Sequence, residues 1–225
     1  MQTMTFDHFI RLGPIEIVPD RPFTNPQHSQ ADLATLSYMF TRLMEVMRAG
    51  RQHSCDERYQ VIHAGEAGGR QHRIIVKDGQ ALLTARELAV VGFCGQRRPE
   101  LHPRLLQEMG LVDRELVMEM VAHPHLLSYS SLELADGNWT NLVLMRSAEG
   151  IAHWRASQRH ADAASDLSPQ YYRSIRLHNA ALTIDRDAPH LSLLRTKYYD
   201  FRDAQPWMAI RELSFSSDSQ PGLLG

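Results

Sequence analysis

The spacing of apolar residues changes along the chain and separates a front section from a longer, more regular section. In the front section the apolar residues that recur every three or four positions are Leu33, Leu36, Phe40, Leu43, Met44 and Met47. This spacing is typical of one face of a helix. Ser29 and Asp32 stand before the run in the S-x-x-D form of a capping box. The pattern predicts a helix over about 30–49.

A second predicted element of the front section is a β-hairpin over about 59–77. Residues 59–63 and 72–77 are rich in strand-forming side chains and flank the glycine-rich stretch 65–69. We place a soft boundary near residue 85. Residues 1–85 then form an N-terminal extension, and 86–225 form the main part of what we expect to be one elaborated domain.

The main part shows strand and helix periods in alternation. The predicted elements are a strand over 88–95, a helix from 105 that Pro124 ends, strands over 126–134 and 139–146, a helix over 148–164 and a strand over 171–182. Two further strands are predicted over 191–201 and 207–215. The fold class is therefore α+β, with a βαββαβ unit followed by extra C-terminal strands. Such a unit has both helices on one sheet face, so a ligand, the front section or a second copy must cover the other.

Composition excludes several classes of protein. The 225 residues are 43% hydrophobic and 22% charged, as in a globular chain, and Lys plus Arg (24) nearly balances Asp plus Glu (26). This balance argues against nucleic-acid and membrane-surface partners. No apolar run approaches the 18 or so residues of a membrane span, and no signal peptide is evident. Cys55 and Cys94 suggest neither a disulfide framework nor a thiolate metal site, so a reducing cytoplasm is expected.

Candidate chemistry is concentrated on the last strand of the unit. Strand alternation places Tyr172, Arg176 and His178 on one face, turned away from the helices. There an arginine could hold an anionic group, and tyrosine or histidine could move a proton. The alternative is an ordinary exposed sheet face.

The second helix and a His-Pro-His sequence supply further histidines. His153 and His160 share one helix face, and His160 could bind a heme iron, act as a general base, or be a partly exposed helix residue. His123 and His125 could be metal ligands, with His153 or His160 as a third. No carboxylate or cysteine stands at a convincing metal-ligand spacing beside these histidines. The simpler interpretation is that His-Pro-His forms a helix C-cap, so no metal is predicted.

Three sequence segments resemble a known family. They are residues 138–146 (Asn-Trp-Thr-Asn-Leu-Val-Leu-Met-Arg), Trp154-x-x-Ser157-x-x-His160 and Tyr172-x-x-x-Arg176-x-His178. With the order of elements over about 88–182, they resemble the ferredoxin-like unit of the dimeric α/β-barrel superfamily, which includes antibiotic-biosynthesis-monooxygenase-like and heme-dependent members. The long front section and the C-terminal strands depart from that family's pattern.

The resemblance implies a bacterial, homodimeric small-molecule enzyme, an oxygenase or other oxidoreductase of a biosynthetic or degradative pathway. It implies catalytic roles for His160, His178 and Tyr172, with heme on His160 or no cofactor at all. Arg176, Asn141 and Trp154 would then bind substrate. Two alternatives stay open: a non-catalytic ligand-binding or assembly protein that dimerises through the same sheet face, and a hydrolase or transferase with a histidine-centred acid–base pair.

Overall fold

The computed structural model describes residues 9–49, 59–155, 157–184 and 189–213, and one nine-stranded sheet connects these ranges. The strands are β1 (Ile10–Arg11), β2 (Gln60–Gly65), β3 (Gln71–Val76), β4 (Glu87–Arg97), β5 (Leu126–Glu133), β6 (Trp139–Met145), β7 (Tyr172–Ile184), β8 (Pro189–Asp200) and β9 (Trp207–Glu212). The helices are α1 (Pro26–Ala49), α2 (Gly79–Thr84), α3 (Pro103–Ala122), α4 (Ala148–Arg155), α5 (Gln158–Asp162) and α6 (Ser168–Tyr171). The predicted α+β class is confirmed, but the sheet is larger than predicted.

The strand order is β1-β9-β8-β7-β4-β6-β5-β3-β2, and every neighbouring pair is antiparallel except β1 and β9. The four strands of the predicted βαββαβ unit occupy the middle, in the order fourth, first, third and second. The front-section hairpin, β2 with β3, pairs with β5 and extends the sheet on one side. Strands β8 and β9 extend it beyond β7 on the other side.

Helix α1 covers one face of the sheet. Its side chains Leu36, Met39 and Leu43 are fully buried in a cluster that includes Val90 of β4 and Leu142 of β6. Burial of each such side chain contributes about 1.5–3 kcal/mol, so the apolar stripe of α1 is sufficient to attach it firmly. The front section therefore covers the sheet face that the βαββαβ pattern left open, and a second copy cannot pack there while α1 is in place.

The predicted start of this helix was wrong. Helix α1 begins at Pro26, and the Asn25 side chain accepts a hydrogen bond from the Gln27 N–H at 3.0 Å. Asparagine before a helix and proline at its first position are both favoured, because they satisfy or remove N–H groups that the helix leaves unpaired. Ser29 and Asp32 consequently lie inside the helix and do not cap it.

The other sheet face packs against the end of α3 and against α4. Met120 and Val121 of α3, Tyr129 of β5, and Ile151 and Trp154 of α4 belong to this cluster. The helix predicted over 148–164 is broken into α4, α5 and the start of a π-helical turn at Ala163–Leu167, and α6 follows that turn. No helix within the described ranges is long and apolar enough to cross a membrane. Cys55 and the polar tail from residue 216 onward lie outside the described residues.

Candidate functional site

The structure separates the predicted site residues onto opposite faces of the sheet. Arg176 and His178 lie beneath α1. Trp154 and His160 lie on the side of α3 and α4, with their rings 5.4 Å apart. The proposed catalytic pair His160 and His178 is therefore not brought together.

The cluster beneath α1 is centred on Asp32, which the sequence did not single out as a site residue. Arg176 donates to both carboxylate oxygens, at 2.5 Å from Nε and 2.9 Å from Nη2. His178 donates from Nε2 to Asp32 at 2.8 Å, and its Nδ1 lies 2.9 Å from the Thr196 hydroxyl. Burial alone would raise the pKa of Asp32, but the hydrogen bonds and charges of Arg176 and His178 outweigh it and lower that pKa to about 2.

This cluster also contains three potential metal ligands. One ligand atom each of Asp32, Cys94 and His178 lies within 4.8 Å of the other two. The Asp32 carboxylate already accepts hydrogen bonds from Arg176 and His178, however, and the Arg176 guanidinium would repel a cation. Burial raises the pKa of the Cys94 thiol, which also opposes thiolate ligation. We interpret the cluster as an internal ion-pair network that holds α1 on the sheet.

The prediction that Tyr172 shares a sheet face with Arg176 and His178 was wrong. The register between β4 and β7 shifts between Gln96 and Arg97, and this bulge changes the alternation at the start of β7. Tyr172 therefore packs edge-on against Phe93 at 5.3 Å, on the sheet face opposite His178. Burial raises the pKa of its phenol, so it is a poor proton donor or acceptor near neutral pH.

A cavity of about 280 Å³ lies on the α3 and α4 side of the sheet. Its lining residues are Glu119, Ala122, His123, Pro124, His153, Trp154 and Ser157. Of the predicted substrate-binding residues, Trp154 lines this cavity. His153 lines it as well, with its ring 4.7 Å from that of His123 and nearly perpendicular to it.

The His-Pro-His sequence ends α3 and forms one wall of the cavity. His123 adopts extended dihedral angles (φ −66°, ψ 128°), as the residue before a proline prefers, and its N–H donates to the Met120 carbonyl at 2.9 Å. Its own carbonyl accepts from Lys77 and from the Leu126 N–H. The predicted C-cap role is confirmed, and the same turn holds the His123 ring in a fixed place.

Helix α4 approaches this turn closely because Gly150 has no side chain. A Cβ at Gly150 would lie 2.6 Å from the Cβ of His125 and 3.1 Å from the sulfur of Met145. Only glycine allows such a contact without displacement of the helix. The approach of α4 brings His153 and Trp154 opposite the end of α3.

Glu119 and His123, one helical turn apart, both have a side-chain polar atom without a protein partner. Oε1 of Glu119 accepts from the Ser157 hydroxyl at 2.6 Å, whereas Oε2 is buried and has no hydrogen-bond partner among the described residues. His123 is only 6% exposed, and its Nε2 likewise has none within those ranges. A buried polar atom without a partner costs about 1–3 kcal/mol, so two in one cavity suggest that a ligand pairs with them.

The orientation of Glu119 depends on the break between α4 and α5. Ser157 accepts the His160 N–H at 3.1 Å, in the manner of an N-cap, while its hydroxyl hydrogen goes to Glu119. A continuous helix over 148–164, as predicted, would use that N–H internally. The break therefore leaves Ser157 able to orient the carboxylate.

The remaining predicted residues do not line the cavity. Asn141 lies on β6 and accepts a hydrogen bond from the Ser131 hydroxyl at 2.7 Å. His160 contacts Trp154 but is not among the lining residues. Heme does not fit in this cavity, because its volume of about 280 Å³ is below the range of about 300–1,000 Å³ that is usual even for drug-sized ligands. Since His160 does not line this cavity, the cavity gives no support to heme on His160.

Comparison of the chain with protein-family models, with curated proteins and with solved structures found no match.

Proposed function

We propose that this protein is a small-molecule enzyme whose active site is the cavity between α3 and α4, with Glu119 as general base. One observation carries the proposal: a carboxylate oxygen and an imidazole nitrogen, both buried and both without a protein partner, belong to side chains that line the same cavity. Active sites commonly combine a concave pocket with a few convergent polar groups. The cavity volume favours a ligand smaller than a typical drug molecule.

The neighbouring residues suit this role. Ser157 holds Oε1 of Glu119, so the free oxygen Oε2 is oriented for proton transfer. Trp154, Ala122 and Pro124 give the cavity an apolar wall. When a substrate fills the cavity, this apolar wall lowers the local polarity and strengthens the electrostatic interactions of the carboxylate with the substrate.

The wider framework of the proposal is a ferredoxin-like unit related to the dimeric α/β-barrel superfamily, in which α1 covers the sheet face that a partner would otherwise cover. Support comes from the antiparallel order β7-β4-β6-β5, which is the order such a unit has, and from the sequence segments that resemble that superfamily. We also propose that the protein is a cytoplasmic homodimer whose two copies meet on a surface other than the sheet face under α1, and that its reaction is a cofactor-free oxygenation. A carbanion formed by a general base can react with dioxygen directly, so this reaction begins with the step assigned to Glu119.

The test uses the full-length protein and a defined mixture of small ketones, 2-oxo acids, phenols, esters and amines in D₂O. Mass spectrometry follows the consumption and deuteration of each compound with wild type, Glu119→Gln and the matched control Glu108→Gln, which alters an exposed residue of the same helix. We expect wild type and control to convert at least one compound. The Glu119→Gln variant should be about 10²–10⁴-fold slower, the usual contribution of a general base.

The outcomes separate the alternatives. If no compound is altered, or if Glu119→Gln keeps the wild-type rate, the proposed enzyme is wrong. Binding without turnover would instead favour the non-catalytic ligand-binding protein. Repeating the incubation under argon tests the oxygenase, because a product that forms equally without dioxygen contradicts oxygenation and leaves a different acid–base reaction.

A further inference from the structure

The hydrogen bonds of His123 determine which of its ring nitrogens carries the proton. The His125 N–H donates to Nδ1 of His123 at 3.3 Å, so Nδ1 acts as an acceptor and carries a lone pair. In a neutral imidazole the proton is then on Nε2. His123 therefore offers the cavity a hydrogen-bond donor rather than a base or a metal ligand.

The cavity thus combines a donor and an acceptor that suit different atoms of one ligand. Nε2–H of His123 requires an oxygen or another acceptor, and Oε2 of Glu119 requires a proton. Glu119 and His123 are four residues apart, so their side chains project from the same side of α3 at its last turn. A carbonyl oxygen and a hydrogen on the adjacent carbon would satisfy both groups together.

On the basis of the proposed function, we propose that the substrates are small carbonyl compounds with a hydrogen on the α-carbon, which the enzyme converts to enolates. Glu119 takes the α-proton, the electron pair of the C–H bond forms the carbon–carbon double bond, and the carbonyl π electrons move to oxygen. The oxyanion accepts a hydrogen bond from Nε2–H of His123. When no dioxygen reacts with the enolate, its carbon–carbon π electrons take the proton back from Glu119 and the C=O bond forms again, so this proton exchange needs no other reactant.

The surroundings of His123 favour the neutral ring that this role requires. Burial lowers its pKa, and positive charge on His153, His125 and Lys77 would lower it further. A neutral imidazole that donates to a developing oxyanion is a known catalytic pattern, in which a depressed pKa keeps the ring uncharged. His153, whose ring packs edge-on against His123, also restrains its orientation.

The test measures deuterium exchange of pyruvate, dihydroxyacetone and cyclohexanone in D₂O by proton NMR, with phenol and benzylamine as compounds without a carbonyl group. We expect the full-length wild type to accelerate exchange of at least one carbonyl compound. His123→Ala should lower kcat by about 10²–10³-fold with a smaller change in KM, as for loss of an oxyanion donor. His123→Gln, which keeps an N–H donor, should recover part of the rate, and His63→Ala, an exposed histidine on β2, should match wild type.

Circular dichroism and urea unfolding check that each variant is folded. If His123→Ala does not fold, the comparison of His123→Gln with wild type still tests the donor role. Exchange that needs Glu119 but is unaffected by either His123 variant would overturn the donor role. If the enzyme converts only phenols or amines and Glu119→Gln abolishes that activity, the proposed function survives and the carbonyl inference is wrong. If Glu119→Gln leaves every rate unchanged, both are wrong.

Discussion

Replacement of Asp32 by asparagine is expected to destabilise the protein at neutral pH and to have a progressively smaller effect in acid. The carboxylate is buried under α1, with its side chain 12% exposed, and it is paired with Arg176 and His178. Its pKa is lowered from 3.8 to about 2 in the folded protein. Asparagine keeps the shape but removes the charge, so the variant resembles the protonated wild type.

The pKa values give the expected magnitude. At about 1.36 kcal/mol per pKa unit, the difference between 3.8 and about 2 corresponds to about 2.5 kcal/mol of the free energy of unfolding at pH 7. Because the folded pKa is the lower one, this stabilisation is complete above about pH 5 and is lost as the pH falls through 4 toward 2. Linkage gives about 1.3 kcal/mol remaining at pH 3.

The assay is urea unfolding followed by far-ultraviolet circular dichroism between pH 7 and pH 3. The measured quantity is the difference in unfolding free energy between wild type and Asp32→Asn. Glu66 and Asp200 also have lowered pKa values, but both proteins contain them and their effects cancel in the difference. Glu45→Gln on the outer face of α1 removes only an exposed pair with Arg42 and should change the stability by less than about 1 kcal/mol. A difference that stays constant from pH 7 to pH 3 would refute the ion-pair interpretation.

Three further predictions concern the core, the thiol and the cofactor. Gly92→Ala should destabilise the protein by about 1–3 kcal/mol in urea unfolding, because its Cβ would lie 2.4 Å from Cδ1 of Leu36; in a Leu36→Ala background, which is itself less stable, the added cost of Gly92→Ala should largely disappear. In a Cys55→Ser background, Cys94 should react with a disulfide reagent only as fast as the protein unfolds, since burial raises its thiol pKa; rapid labelling of the folded protein would contradict this. Added hemin should give the same absorbance spectrum with wild type and His160→Ala, whereas a shift that only wild type produces would mean that heme binds at His160.

Local patterns were sufficient to predict the central strands, because each needs only the alternation of its own residues. The sequence over 88–95 predicted the middle of β4, and the turn at Asp136 and Gly137 predicted the hairpin of β5 and β6. The order of these strands in the sheet, and which helices pack on each sheet face, depend on contacts between residues that are far apart in sequence. The hairpin β2–β3 was predicted correctly, but nothing in its residues indicated that it would pair with β5.

The site was harder to predict for the same reason. Asp32 has the spacing of a capping residue, and its partner Arg176 is 144 positions away. The sheet face predicted for Tyr172 was wrong because a bulge turns its side chain to the opposite face, and this bulge depends on the pairing with Gln96 and Arg97 of β4. Glu119 is the exception, since its position four residues before His123 on a predicted helix could have been recognised from the sequence.

The two polar clusters of the molecule differ in one physical respect, and this difference assigns their roles. In the cluster beneath α1, both oxygens of Asp32 and both ring nitrogens of His178 have partners, so the network is complete without a ligand. In the cavity between α3 and α4, Glu119 and His123 each keep one buried polar atom without a partner within the described ranges. A complete network stabilises the fold and gains nothing from a ligand, whereas an incomplete one gains free energy when a ligand of complementary chemistry binds. The histidines worth testing for function are therefore those at the end of α3, and His178 has a structural role.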